Sequence, residues 1–358
     1  MILRKIPEVN FAVVRRFLFP PAVLYTFPKD EANRMISEDV VIRASDLTKY
    51  YGKVLAVDHI SFEVKRGEIF GFLGPNGAGK TTTIRMLTGF TRPTEGGATV
   101  LGFDVGSEIV QAKRRVGVVP EISNLYDELS ALDNLLFMAQ LYGVPRARRR
   151  EKAEELLGTF GLYDRKDSPF RTLSRGMKRA LTIAAALIHE PEILFLDEPT
   201  VGLDVVAARS LRNLIGRLRQ QGITIFLTTH YLEEADLLCD RVAILVKGRV
   251  LRIDTPEVLK AAAEEESIIE FSFDKEISEL KGELTRTAGD VRVVPVDFGK
   301  VRVYGGTPGD IVEAVFRFAR REGVEVLSVN SIKPSLEDAF IKITGLSPVI
   351  MAMEKGGK

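Results

Sequence analysis

The 358-residue chain has no tryptophan, one cysteine and only three histidines, and each scarcity removes a class of explanation. A lone Cys239 cannot form an internal disulfide, so the fold is not a stapled scaffold and fits a reducing compartment. Near an expected helix end, that thiol reads as a small apolar filler. Fifty basic residues against forty-nine acidic ones leave a formal net charge of +1, so no overall field draws the chain to nucleic acid. No apolar run reaches the roughly 18 residues that span a bilayer, so any role at a membrane has to come through a partner. What remains is 45% hydrophobic and 28% charged, a globular composition in a chain long enough for two domains or more.

Against those absences stands the stretch Gly74-Pro75-Asn76-Gly77-Ala78-Gly79-Lys80-Thr81-Thr82, preceded by the apolar run Ile69-Phe70-Gly71-Phe72-Leu73. It has the Gly-x-x-x-x-Gly-Lys-Thr form of a phosphate-binding P-loop. A strand feeds it, and a helix expected from Thr82 to Leu87 leaves it, which is the context that gives the motif meaning. Glycines let the backbone curl so that successive N–H groups face phosphate oxygens, and the helix adds the positive end of its dipole. Lys80 can reach the β- and γ-phosphates of a nucleotide, while the Thr81 hydroxyl can ligate a bridging Mg²⁺.

Further along, Glu192-Ile193-Leu194-Phe195-Leu196-Asp197-Glu198 is a short apolar run ending in two carboxylates. Such a run fits a buried strand of a parallel sheet, whose carboxyl end is where α/β proteins place ligands. Asp197 can then hold the metal, and Glu198 can activate or orient a water for attack on the γ-phosphate. A second strand, Ile223 to Leu227, ends at Thr228-Thr229-His230, where a histidine can hydrogen-bond the γ-phosphate or the water. His59 and His189 have no such setting and read as packing or surface residues. Upstream, Val40 to Ala44 and Ile60 to Val64 read as strands. Between them Tyr50-Tyr51-Gly52 has two readings of equal weight, a purine-stacking aromatic or a plain turn.

Residues 1–36 are apolar and aromatic from Val9 to Tyr25 but are divided by Arg15-Arg16 and stopped by Pro20-Pro21, which makes a poor signal peptide. Three readings stand: a membrane-surface or partner-docking arm, a disordered tail, or a segment outside the natural product, since Met35 opens a sequence leading directly into the first strand.

Over nearly all of residues 40 to 250 these residues resemble the ATP-binding subunit of ABC transporters. The decisive piece is Leu173-Ser174-Arg175-Gly176-Met177, before an Ala-rich helix and upstream of Asp197-Glu198; it is similar to the family signature, usually Leu-Ser-Gly-Gly-Gln. Glu198-Pro199-Thr200-Val201-Gly202-Leu203-Asp204 matches the D-loop, His230 the switch histidine and Tyr51 the adenine-stacking aromatic. The resemblance implies a P-loop NTPase fold with a helical subdomain at about 121–180, and ATP and Mg²⁺ as cofactors. It also implies a head-to-tail dimer in which Ser174 and Gly176 of one copy contact the γ-phosphate held by the other, with Asp204 at the same interface. Two positions depart from the family pattern. Arg175 and Met177 replace Gly and Gln, while the serine and glycine that would touch phosphate are kept. At Val116-Gly117-Val118-Val119-Pro120-Glu121 the family has Gln last; Glu121 can still offer oxygen to the metal, with one more negative charge.

Between Glu121 and Leu173 the pattern is helical, with Ser130-Ala131-Leu132-Asp133 resembling a capping box. Arg148-Arg149-Arg150 reads as the solvated face of a helix start, balanced by Glu151, Glu154 and Glu155, rather than as a lipid or nucleic-acid patch. In the family this subdomain carries the groove for a short helix of the membrane subunit. Beyond the nucleotide domain, residues 37–258, the pattern from 259 to 346 changes to strand Ile268 to Phe273, helix Ile277 to Thr287, strands Val291 to Val296 and Lys300 to Tyr304, helix Asp310 to Arg321 and strand Val324 to Val329. That order is the β-α-β-β-α-β of a small α+β ferredoxin-like domain. Pro334 to Ile341 resembles the tail of antibiotic-export ABC ATPases, and no His, Cys or acidic cluster marks a site, so a brace or dimer contact is the expected role. Residues 347–358 read as a loose tail. The expected function is a Mg²⁺-dependent ATPase on the cytoplasmic face of the membrane that dimerises, as a homodimer, and drives a separate permease, with no nucleic-acid partner. The rival is a soluble ABC ATPase acting on ribosomes or DNA. A single P-loop, the absence of sustained heptads and the balanced charge speak against it.

Overall fold

The computed structural model describes residues 39–264, 267–275, 291–332 and 334–346. The amino-terminal segment 1–36, the expected helix Ile277 to Thr287 and the tail 347–358 lie outside the described residues.

The described residues open with a hairpin, β1 (Val40–Tyr51) antiparallel to β2 (Val54–Lys65). Both strands are much longer than the short runs legible in the sequence, because register shifts between Ala44 and Leu47 and between Leu47 and Lys49 break the strict alternation. Gly52, in the left-handed region, makes the turn after Tyr51. The P-loop strand β3 (Ile69–Leu73) leads into helix α1 (Lys80–Leu87), which starts at Lys80 rather than Thr82 because Gly79, at φ 104°, caps it. Next come β4 (Glu95–Val100), β5 (Phe103–Asp104), α2 (Ile109–Lys113) and β6 (Val116–Val119). A helical stretch follows: α3 (Ala131–Leu141), α4 (Arg146–Thr159) and α5 (Arg175–Leu187). Ser130 caps α3 by accepting the Asp133 N–H at 3.0 Å. The arginine run opens α4 as a solvated face, where Arg150 pairs with Glu154 at 3.0 Å. The remaining elements are β7 (Ile193–Asp197), α6 (Val205–Gln220), β8 (Thr224–Thr229), α7 (Leu232–Leu238), β9 (Arg241–Val246), β10 (Arg249–Asp254) and α8 (Pro256–Glu264).

Two sheets result. β2-β1-β4-β5 is antiparallel, and β10-β9-β3-β8-β7-β6 is parallel except at the β10 edge. Side chains alternate along β3. Ile69 and Leu73 join the core under the helices, whereas Phe70 and Phe72 face the antiparallel sheet and form an aromatic cluster with Phe62, Phe195 and Phe226. Gly71 carries no Cβ for a local reason: one placed there would lie 2.5 Å from the Cys239 sulfur. Cys239 is indeed a buried filler at the end of α7, its thiol pushed well up by burial.

Residues beyond α8 form a third sheet from β11 (Ile268–Phe273), β12 (Arg292–Asp297), β13 (Lys300–Tyr304) and β14 (Val326–Ser331), in the order β12-β13-β11-β14 and antiparallel throughout. Helix α9 (Pro308–Glu322) packs Ile311, Val315 and Phe318 on the face that carries Phe271, Val301 and Val303. The last strand begins two residues later than its apolar pattern suggests, because Gly323 ends α9 in the left-handed region and the Val324 N–H still bonds Ala319. The final helix, α10 (Leu336–Thr344), sends Leu336, Ala339 and Phe340 into the core of the nucleotide domain and Ile341 against the third sheet.

Candidate active site

Strand order and register assemble the site. β8 lies between β3 and β7, with Leu73 opposite Thr229 and Asp197 opposite Thr228. β6 flanks β7 with Val119 opposite Leu196. Parallel strands in this register end at one level, so the P-loop after Leu73, His230 after Thr229, Glu198 after Asp197 and Glu121 after Val119 all leave the sheet at its carboxyl edge, strand beside strand about 4.8 Å apart. The P-loop sits close on the backbone behind it: a Cβ at Gly79 would stand 2.6 Å from the Ala56 carbonyl oxygen, and one at Gly74 would overlap that of Leu245.

The polar groups form one network. Lys80, 5% exposed, donates to the carbonyls of Gly74 at 2.5 Å and Pro75 at 3.1 Å, and its ammonium stands 3.1 Å from Glu198 Oε1 in an ionic contact outside hydrogen-bond angles. Glu198 Oε2 meets His230 Nδ1 at 2.9 Å. Asp197 Oδ1 accepts from Thr81 at 3.1 Å and from Thr228 at 2.6 Å. Burial pushes the Asp197 carboxyl above its usual range against those hydroxyl bonds. Burial acts on Glu198 too, but the His230 hydrogen bond and the Lys80 charge outweigh it and hold that carboxyl below the usual range. Glu198 also has a left-handed backbone, φ 48°, fixed by its N–H bonding the carbonyl and hydroxyl of Thr228, each at 3.1 Å. Strain of this kind is kept where surrounding structure over-determines it, commonly at a working site.

Above the network opens a cleft of about 270 Å³ bounded by Tyr51, Ala56, residues 76–82, Glu121 and Glu198. Tyr51, 45% exposed, ends a strand at a turn and also lines the cleft. His59 pairs with Asp58 at the surface, and His189 is half-buried, its ring stacked on Tyr142 at 3.8 Å. Neither lines the cleft.

A loop that cradles phosphate beside a hydroxyl, two carboxylates and an imidazole is machinery for cleaving a nucleoside triphosphate. Comparison with known proteins names the lineage. Residues 57–201 match the family described as ABC transporter. Over 308 residues the chain is 36% identical to the linearmycin resistance ATP-binding protein LnrL of Bacillus subtilis, a match that covers 85% of this chain and 98% of that one. The chain belongs to the ABC transporter family as an ATP-binding subunit. It is also 44% identical over 221 residues to the daunorubicin/doxorubicin resistance ATP-binding protein DrrA of Streptomyces peucetius, covering 62% of this chain and 67% of that one. Among solved structures, cbiO1 of Clostridium perfringens, part of the ABC transporter complex cbiONQ, superposes with a TM-score of 0.58 at 29% identity over 63% of this chain and 92% of that one. The dimeric post-hydrolysis cassette MJ0796, bound to ADP and Pi, gives 0.56 at 25% identity over 60% and 98%. This ABC subunit is therefore an ATP-binding, ATP-hydrolysing enzyme on a P-loop NTPase fold.

Three of the expected site residues of the ABC subunit stand apart from the cleft. Ser174 caps α5 by accepting the Met177 N–H at 3.3 Å, and Gly176 lies in the first turn, where a Cβ would stand 3.0 Å from that of Ala207. Asp204 caps α6 through Ala207 at 2.8 Å. Signature and D-loop thus lie together, neither lining the cleft of their own chain. Sequence reading missed Arg179. Buried on α5, it donates to the carbonyls of Pro120, Glu121, Asp197 and Pro199. Its only sequence signal was a charge on the otherwise apolar face of an Ala-rich helix.

Proposed function

We propose that two copies of this chain close head to tail over two ATP molecules, each held by one P-loop and met from across the interface by Ser174 and Gly176 of the other copy. The separation of signature from cleft within one chain supports this arrangement, since those phosphate-seeking groups then need a second chain. The convergence of P-loop, Asp197-Glu198 and His230 at the carboxyl edge of β3-β8-β7 carries the reading. Within it, Lys80 binds the β- and γ-phosphates, Tyr51 stacks on adenine, and Glu198, ionised at neutral pH, takes the proton of the attacking water while His230 fixes its orientation. Thr81, Asp197 and Glu121 offer hydroxyl and carboxylate oxygens, the hard donors that Mg²⁺ takes, and those residues would hold the ion. When bound, Mg²⁺ neutralises charge on the phosphates. The D-loop, with Asp204, lies at the same interface.

Opening of the dimer after hydrolysis drives a separate transmembrane permease, which places the chain at the cytoplasmic face of the membrane. No helix among the described residues is long and apolar enough to cross one. The relatives named for drug resistance, bacitracin transport and Nod factor export favour an exporter. The third sheet, with strand order β12-β13-β11-β14, fits a ferredoxin-like accessory domain that braces the subunit.

The test is Glu198→Gln in the full chain. Steady-state turnover should fall roughly 100-fold or more, and the variant should accumulate as an ATP-dependent dimer in light scattering. Parental turnover, or a strictly monomeric variant at high protein and ATP concentration, rejects the reading.

A further inference from the structure

Arg179 sits five residues into the chain after Ser174, on the buried face of α5, and is 8% exposed. Its guanidinium joins segments distant in sequence. Nη1 donates to the carbonyl of Pro120 at 2.5 Å and, at 3.3 Å, to that of Glu121, just after β6. Nη2 donates to the Asp197 carbonyl at 2.8 Å, and Nε to the Pro199 carbonyl at 2.9 Å. These four acceptors are the turn that carries Glu121, the metal-bearing end of β7, and the start of the D-loop. The donors lie in one rigid plane, so the acceptors cannot shift relative to one another without losing a bond. Lysine, with a tetrahedral ammonium on a flexible stem, cannot reproduce that fork.

Electrostatics favour the same arrangement. Asp197, Glu234, Glu121 and Glu198 all lie close enough to stabilise the guanidinium charge. Burial lowers its pKa to about 10 and those acids oppose the fall, so it stays charged at neutral pH. A cation within this acidic group also eases the approach of Glu121 to Asp197, a pairing that the carboxylate at position 121 makes more repulsive than a neutral amide would.

We propose that Arg179 is a positioning residue for metal-assisted ATP cleavage: through its fork of backbone bonds it holds the backbone of Glu121 and of Asp197, the residues that would take the divalent cation, in fixed relation and ties both to the helix that bears Ser174. The proposal rests on the assignment of Asp197 and Glu121 to the metal. It extends to Arg179 the rule that groups behind a metal's ligands fix their aim and tune affinity for the ion.

The experiment compares Arg179→Lys with the parent in the full chain, reading kcat, KM for ATP, the Mg²⁺ concentration for half-maximal turnover, and nucleotide affinity in EDTA. Arg179→Gln, whose amide keeps part of the planar donor set, covers the case in which the lysine variant does not fold. The expected result is a kcat lower by roughly 10- to 100-fold and a half-saturating Mg²⁺ concentration higher by about tenfold. Nucleotide affinity without metal should stay within about twofold. A folded variant with parental kcat and Mg²⁺ dependence overturns the proposal. So does a loss of nucleotide affinity in EDTA equal to the loss of turnover, which would mark a merely structural residue. Glu198→Gln, run in parallel, separates the two readings: if it keeps turnover, the site assignment fails irrespective of Arg179.

Discussion

The chain buries acidic groups in two places and uses them in opposite ways. At the carboxyl edge of the parallel sheet, Asp197 is held by two hydroxyls, and Glu198 by an imidazole and an ammonium, partners that a phosphate or a metal can draw away. Against the third sheet, Asp338 on α10 is fully buried and every partner is part of the fold. It accepts from Arg302 at 2.9 Å, from the Tyr304 hydroxyl at 2.6 Å and, at 2.7 and 2.6 Å, from the backbone N–H and hydroxyl of Ser335 in a capping box. Arg302 also binds Glu270 at 3.0 Å and Glu337 at 3.2 Å, and this acidic company keeps its guanidinium charged despite burial. A buried charge whose partners are fixed parts of the fold braces it, whereas one whose partners are exchangeable serves a ligand.

That contrast breaks most visibly at Asp338. Asp338→Ala takes the buried acceptor from the Tyr304 hydroxyl and leaves Arg302 with only Glu270 and Glu337, and should lower unfolding free energy by about 3 kcal/mol or more in denaturant titration, while ATP turnover of the folded protein stays within about threefold of the parent. Loss of turnover in the folded variant would show that the brace and the catalytic edge are one unit. His189 is the intermediate case, with Nε2 bonded to the Val116 carbonyl at 3.0 Å and Nδ1 buried without a partner. Burial drops its pKa to about 4, so below about pH 6.5 the unfolded chain binds a proton that the folded one refuses. Stability should be undiminished above that pH and fall toward pH 4, by of order 3 kcal/mol over the window. His189→Phe, which keeps the stack on Tyr142, should flatten that slope in pH-dependent melting; an unchanged slope assigns it to other groups. The smallest effect probes packing behind the P-loop. Gly71→Ala should cost about 2 kcal/mol by overpacking against the Cys239 sulfur, and adding Cys239→Ala should recover most of it. Failure to recover would place the strain in the strand itself.

The candidate catalytic edge was legible because its residues are written in contiguous stretches. A P-loop needs its glycines and lysine in sequence, and a buried parallel strand shows as the bare run Ile193 to Leu196. The full length of β1 was not legible, since its bulges shift side chains from face to face and erase the alternation that marks a strand. Arg179 was hidden for a different reason: its partners are backbone carbonyls, which leave no trace in residue identity. Nor could the pattern of α10 show that its apolar faces divide between the nucleotide core and the third sheet, because a helix apolar on two sides looks the same whatever covers each side.

The placement of β8 has a consequence for how this molecule comes into being. The P-loop strand and the strand bearing Asp197 never touch; the segment 224–229, made after both, slots between them. A growing chain stopped short of residue 224 would display its phosphate cradle with no acid beside it. The two halves of the site thus come into register only once that later-made central strand is in place.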